Sequence, residues 1–149
     1  MTLKEELKLK CTELINDKIS IIKSAINAAQ TSANEETKSS AGDKYETGRA
    51  MAQLEIEKLT VQLNENKKLI QQLDLLNLQE INTKIRIGSL IYTDQGNYFL
   101  SISIGNIVVG NQSFILLSPS SPIGKLFLGK SKGEVIEFNG KKIVIKDIE

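Results

Sequence analysis

The chain has 149 residues, enough for one ordinary domain or two small ones. Its 19 Lys and Arg residues against 18 Asp and Glu residues give a net charge of +1, whereas a protein that binds nucleic acid with its whole surface normally has a strong basic excess. Because it has no His and a single Cys, a His base, a cysteine-based zinc site and an intramolecular disulfide are all excluded. Composition therefore argues against a self-contained enzyme. The charged first residues and the lack of a long apolar run predict a soluble, cytoplasmic protein with no membrane segment.

The composition changes near residue 80. Residues 1–80 contain no Pro and two Gly, and they carry 11 basic and 13 acidic side chains. Residues 81–149 contain both Pro and eight Gly, with 8 basic and 5 acidic side chains. Low Gly and Pro content favours long helices, whereas frequent Gly with Ile, Val and Phe favours short strands and turns. We therefore expect two domains with a boundary between residues 80 and 81.

The first half has two apolar stripes with the alternating spacing of a coiled coil. One has steps of 4-3-4-3-4 and consists of Ile15, Ile19, Ile22, Ile26, Ala29 and Ala33. The other has steps of 4-3-4-3-4-3 and consists of Ala52, Ile56, Leu59, Leu63, Asn66, Ile70 and Leu73. This spacing keeps each stripe on one seam of its helix. Leu7 and Cys11 extend the first stripe, Thr2 and Glu5 have capping-box spacing, and the polar Asn66 is expected to fix register.

A polar stretch around Ser39 to Asp43 interrupts the two stripes. A short interruption between two helices with apolar seams predicts an antiparallel hairpin with arms about 45 Å long. The interruption would then lie at the far tip of the hairpin, an acidic tip near residues 39–48. A scaffold that dimerises through its helices is the alternative. The matched lengths of the stripes favour a hairpin within a monomer.

The second half has the pattern of short strands. We predict strands at Lys84–Tyr92, Tyr98–Ile104, Gln112–Leu117, Glu134–Phe138 and Lys141–Ile148. Asn139-Gly140 predicts a two-residue hairpin turn. Ser121 suits a helix N-cap, Pro122 the first helical position and Gly129 the residue just past the end. The predicted fold is α+β: an antiparallel two-helix coiled coil followed by a small antiparallel sheet with one short helix.

The run from Ser121 to Glu134, SPIGKLFLGKSKGE, closely resembles the C-terminal signature of the Gre-type transcript cleavage factors of bacterial RNA polymerase. Ile87-Gly88-Ser89 resembles the entry to the same domain. The order of a coiled coil followed by a sheet domain also matches this family. The resemblance covers essentially the whole chain and implies an FKBP-like fold for residues 81–149.

The resemblance also implies a function for the tip, where the family has a Gly-Asp-x-x-Glu-Asn pattern. Gly42-Asp43-Lys44-Tyr45-Glu46 keeps the first part of it, while Thr47 replaces the Asn, and Gly48 and Arg49 replace a small and an acidic residue. The implied protein is an elongation factor that binds RNA polymerase and inserts this tip into the secondary channel. Asp43 and Glu46 would there act in trans as catalytic carboxylates on backtracked RNA, near its 3′ end.

Two carboxylates suit this chemistry because phosphodiester cleavage in polymerase sites uses two metal ions, and Mg²⁺ prefers hard oxygen ligands. The implied Mg²⁺ is shared with the polymerase, and the chain alone needs no cofactor. The resemblance further implies docking of the sheet domain on the polymerase through Ser121, Pro122, Ile123 and Lys125, and DNA binding is a further expectation. Arg49 departs from the family pattern, but its charge beside the tip suits either a contact with RNA or polymerase phosphates or a helical ion pair with Glu46. The factor would assist cleavage without being an enzyme itself.

Other interpretations of the same residues stay open. Asp43 and Glu46 have the spacing of a helix cap, which on spacing alone is the better explanation of the pair. The altered residues after Glu46 suggest a regulator that occupies the channel and inhibits synthesis without cleavage. An FKBP-like domain could instead serve as a prolyl isomerase or chaperone, although such sites are lined with aromatic residues and this chain has few.

Overall fold

The computed structural model describes the backbone of residues 1–36 and 42–149 and the side chains of residues 1–35 and 46–149. The chain forms two compact units. Met1–Thr12 and Gln71–Glu149 form the sheet unit, and Glu13–Ile70 form the helical unit. The ends of both predicted helices therefore group with the strands, so the compact units divide the chain differently from the composition change near residue 80.

Two helices dominate the first half: α1 spans Leu3–Glu36 and α2 spans Gly42–Asp74. The capping box at the start of α1 is confirmed, because the Thr2 amide donates to Glu5 Oε2 at 2.8 Å and the Glu5 amide donates to Thr2 Oγ1 at 3.2 Å. Among the described residues, no helix is long and apolar enough to cross a membrane.

The predicted seams are the buried faces of the two helices. In the helical unit every seam residue named from the sequence is buried or half-buried, and the most buried are Ile15, Ile22, Ala33 and Leu59. Because the described residues of this unit contain only α1 and α2, the two seams bury each other and the helices form the predicted hairpin. Asn66 is half-buried but donates its amide to Gln62 O of its own helix at 2.8 Å, so this bond does not link the two helices.

Within the described residues, the sheet unit contains a six-stranded sheet in the order β3-β4-β2-β1-β6-β5. The strands are β1 Leu90–Thr93, β2 Gly96–Leu100, β3 Gly105–Val109, β4 Gln112–Leu117, β5 Val135–Phe138 and β6 Lys141–Ile148. A short helix, α3, spans Pro122–Phe127. The architecture is the predicted α+β class. The sheet is mixed, because β2 and β4 pair in parallel while the other described pairs are antiparallel.

Two strand predictions need correction. The first strand begins at Leu90 instead of Lys84, because Gly88 has φ +94 and the Ser89 hydroxyl accepts a bond from the Arg86 amide at 3.0 Å, which together form a turn. The second prediction ran on to Ile104 and missed β3. The predicted turn at Asn139-Gly140 is confirmed, with φ +52 and +78, the positive pair of a type I′ hairpin.

Both faces of the sheet are buried. One face contributes to a core of Ile85, Ile91, Tyr98, Leu100, Leu117, Phe127, Ile136, Ile143, Ile145 and Ile148. Successive residues of a strand point to opposite faces, and the alternate residues Leu90, Phe99, Phe114 and Leu116 are buried as well. Leu7, Cys11 and Leu73 of the same unit are fully buried. The short helix lies on the Tyr98 face, where the rings of Tyr98 and Phe127 are 5.1 Å apart.

Candidate functional site

The carboxylates predicted at the hairpin tip follow directly on the connection between the helices. The helix α1 ends at Glu36 and α2 begins at Gly42, so Asp43 is the second residue of α2 and Glu46 the fifth. Residues three apart share a helix face. The Glu46 side chain is exposed. The interruption predicted at Ser39 to Asp43 is too long at its end, because Gly42 and Asp43 belong to α2. Residues 39–41, and the side chains of Asp43, Lys44 and Tyr45, lie outside the described residues.

The helical seam continues almost to this connection. Ala33 is 4% exposed, within one turn of the end of α1, and Gly48 is half-buried near the start of α2. Thr47 and Arg49, which flank Gly48, are exposed. Among the described side chains at the start of α2, Glu46, Thr47 and Arg49 therefore lie on the outside of the helix, and Gly48 lies toward the buried seam.

The four residues predicted to dock lie together at the start of α3. The Ser121 hydroxyl accepts a bond from the Gly124 amide at 3.1 Å and donates to the Ser118 carbonyl at 2.6 Å, so the predicted N-cap is confirmed. Pro122 occupies the first helical position and is exposed. Ile123 is half-buried and packs against the core. Because the Ser121 hydroxyl is already engaged, Pro122 and Lys125 are the most accessible of the four.

Other residues of the Ser121–Glu134 run also have backbone roles. A Cβ on Gly124 would lie 2.0 Å from Ser118 O, so this helical position has no room for a side chain. Gly129 has φ +78 and follows the C-cap Leu128, as expected for a glycine that ends a helix. The Glu134 carboxylate accepts a bond from the Ser131 amide. The run therefore builds the corner that contains α3.

A cleft of about 420 Å³ lies beside α3, on the Tyr98 face of the sheet. Its apolar lining comes from the strands and from α3: Tyr98, Ile115, Leu117, Ile123, Phe138 and Ile143. Gln95, Asn139 and Lys141 supply polar groups. Burial raises the pKa of the Tyr98 hydroxyl, and the Asp94 charge adds to this effect, so the hydroxyl stays neutral in this wall. Such an apolar lining with a few polar groups is typical of binding sites.

Of the residues that line the cleft, only Ile123 is among the docking residues predicted from the sequence. Ile115 is 42% exposed on β4, where its neighbours Phe114 and Leu116 are buried on the other face. An exposed Ile115 could have been predicted from the sequence, because successive residues of a strand point to opposite faces. That Tyr98 and Phe138 line the same cleft could not be predicted, because it depends on the order of the strands in the sheet, where β1 and β6 lie between β2 and β5.

The described side chains contain no group of three or more Cys, Asp or Glu residues placed to hold a metal ion. Asp43 and Glu46 would contribute two carboxylates, which fits the hard oxygen ligands of Mg²⁺ but leaves most of its coordination to water or to a partner. The two sets of predicted site residues belong to different units, since Asp43, Glu46 and Arg49 are in the helical unit and Ser121, Pro122, Ile123 and Lys125 are in the sheet unit.

The chain is similar to a solved structure of a known protein. No protein-family model matches the chain, and no curated protein matches it. The structure of the transcription factor Gfh1 aligns with 91% of this chain and 91% of its own chain, with 16% sequence identity and a TM-score of 0.38. Similarity of this size assigns no function. Function is therefore inferred from the residues of the chain itself.

Proposed function

We propose that the chain is an RNA polymerase-binding elongation factor of the Gre type, which presents Asp43 and Glu46 to the polymerase active site. The observation that supports this most directly is the position of the pair, in the first turns of α2 right after the hairpin connection. A helical hairpin with a closed seam is narrow enough to enter a channel. Two carboxylates three residues apart can reach the same ion or water from one helix face.

In this proposal the chain supplies carboxylate oxygens, and the polymerase supplies the remaining ligands of the metal site. A bound Mg²⁺ would polarise the scissile phosphate or activate the attacking water. The chain's own part is to hold Asp43 and Glu46 on a rigid helix. The exposed Glu46 binds a metal weakly by itself, since Mg²⁺ gives up its water reluctantly.

The cleft beside α3 is the proposed docking surface for the polymerase. Its apolar floor would take an apolar side chain of the partner, and Lys141 at its rim would pair with an acidic neighbour. Pro122 and Lys125 extend this surface along α3. In this proposal the sheet unit binds the polymerase, and the carboxylates at the start of α2 take part in cleavage.

The deciding experiment is RNA cleavage in stalled elongation complexes. The double variant Asp43→Asn, Glu46→Gln keeps side-chain size and the ability to cap a helix but removes both charges. We expect it to bind polymerase normally and to lower the cleavage rate by about 100-fold or more. The matched control is Glu55→Gln, Glu57→Gln, which neutralises two exposed carboxylates farther along α2 and should leave cleavage unchanged. Equal cleavage by both double variants would refute the proposed chemistry.

Docking is tested separately by binding to polymerase. Ile115→Glu places a charge in the cleft, whereas Val108→Glu places one on β3, outside the cleft, at a residue with similar exposure (52% against 42%). We expect the Ile115 variant to weaken binding by at least about tenfold and the Val108 variant to bind like the parent protein. Tight binding with inhibited synthesis and no RNA shortening would instead favour the channel-blocking regulator.

A further inference from the structure

The segment that joins α2 to the sheet, residues 75–84, is held in place by little apolar packing. We call it the linker. Leu75 is 85% exposed and Ile81 is 91% exposed, so these side chains bury almost nothing, and Leu76 and Leu78 are only half-buried. Asn82, a polar residue, is the one side chain among residues 75–84 that is less than a tenth exposed. A segment with so few buried apolar contacts is expected to open more easily than the core.

Polar contacts hold the linker instead. The Lys4 ammonium donates to the Glu80 carbonyl at 3.1 Å, and the side-chain amide of Gln79 donates to Glu5 Oε1 at 3.4 Å. The Glu80 carboxylate forms an ion pair with Arg86. At the far end of the linker, the side-chain amide of Asn82 donates to the Glu149 carbonyl at 3.3 Å. All of these residues belong to the sheet unit.

Lys4 is the one charged side chain of this set that is buried. It is 6% exposed and lines a cavity of about 400 Å³ together with Leu78, Ile81 and Glu149. Burial lowers its pKa, which the Glu149 charge partly offsets and the Arg86 charge reinforces. Its hydrogen bond to Glu80 is a single contact to a neutral carbonyl. An apolar side chain of similar length would fill the same space without the desolvation cost of a buried charge.

A buried charge that adds little overall stability can still select one arrangement of the chain. We propose that Lys4 is a latch that fixes the linker to the first turn of α1, and that releasing it opens the linker while the sheet stays folded. In this latch Lys4 Nζ binds one carbonyl, that of Glu80. The role of Lys4 is independent of the proposed function. It makes the linker a locally opening segment with its own stability.

Limited digestion of the full chain with trypsin, which cuts after Lys84 at the end of the linker, tests the latch together with thermal unfolding. Lys4→Met removes the ammonium but keeps most of the length of the side chain. We expect cleavage after Lys84 to be at least about tenfold faster in this variant, while the rate of cleavage after Lys146 in β6 and the melting temperature stay close to those of the parent protein. Lys4→Arg, which keeps a charged donor, should be cut after Lys84 at nearly the parent rate.

The matched control is Lys10→Met, since Lys10 Nζ also donates to a carbonyl, Val108 O, at 2.7 Å, but from an exposed position on α1. It should leave cleavage after Lys84 unchanged. A rate of cleavage after Lys84 in the Lys4→Met variant within twofold of the parent rate would overturn the proposal. Equal acceleration of cleavage after Lys84 and after Lys146 would also overturn it, because Lys4 would then act on global stability alone.

Discussion

Replacing Gly124 by Ala sets two opposing effects against each other in α3. In an ordinary exposed helix this change stabilises by about 1 kcal/mol, because Ala has the higher helix propensity. Here the new Cβ would lie 2.0 Å from Ser118 O and 2.7 Å from Ser121 Oγ. The Ser118 carbonyl also accepts bonds from the Ser121 amide at 3.1 Å and the Ser121 hydroxyl at 2.6 Å. The clash therefore falls on the atoms that cap the helix.

Relief of the clash requires backbone to move. The Ser118 amide donates to Ser103 Oγ at 2.9 Å, which ties this residue to the loop after β2, so α3 has to shift away from the Ser118 carbonyl. Overpacking of this kind costs about 1–3 kcal/mol, and a weakened N-cap adds about 1 kcal/mol. After the propensity gain is subtracted, Gly124→Ala is expected to destabilise the protein by about 1–3 kcal/mol. At about 2–4 °C per kcal/mol this lowers the melting temperature by several degrees.

Thermal and urea unfolding followed by circular dichroism measure the effect. The control is Lys125→Ala, the next residue of the same helix, which is exposed and should change stability by less than about 0.5 kcal/mol. A Gly124→Ala variant as stable as the parent or more stable would show that the gain in helix propensity outweighs the cost of the clash. The role given to the Ser118 carbonyl would then be wrong.

Further predictions concern the helical seam and two buried titratable side chains. Leu59→Ala, in the seam, should cost about 2–3 kcal/mol in urea unfolding, whereas Val61→Ala, which is 57% exposed, should cost less than about 0.5 kcal/mol. Burial raises the pKa of the Cys11 thiol to about 12, so its alkylation at pH 8 should be roughly a thousand-fold slower in the folded chain than in denaturant. Since the pKa of the Tyr98 hydroxyl is raised on folding, the stability it contributes is present below pH 10 and is lost as pH rises through its folded pKa. Tyr98→Phe should therefore weaken the loss of stability measured by urea unfolding above pH 10.

The helices were predictable because their signals are local and repeated. The seam consists of six apolar positions on α1 and seven positions on α2, and the Thr2–Glu5 capping box marks the start of α1. The short helix was predictable for the same reason, since Ser121, Pro122 and Gly129 each have a role in the helix that follows from the residue type alone. Local chemistry of this kind needs no knowledge of the tertiary fold.

The sheet was predicted less completely because its pairing is not local. The strand β3 lies at the edge and follows β2 after four residues, and the alternating Ser and Ile of these four residues look like a continuation of β2 past its end at Leu100. Its signals were Gly105, with φ +98, and the turn at Gly110, with φ +60. The parallel pairing of β2 with β4 arises because the β3–β4 hairpin places β4 next to β2. Sequence periodicity is the same for a parallel and an antiparallel neighbour.

Several residues of the Ser121–Glu134 run, which gave the family resemblance, stabilise the local backbone conformation. Ser121 caps α3, Gly124 admits the Ser118 carbonyl and Glu134 binds the Ser131 amide. Such residues are needed wherever this corner is built, whatever the protein does, so the run indicates a fold more strongly than an activity. The functional proposal rests instead on Asp43 and Glu46, which the seam does not need. Neutralising them should therefore change cleavage and leave unfolding almost unaltered, whereas Gly124→Ala should lower the stability of the fold.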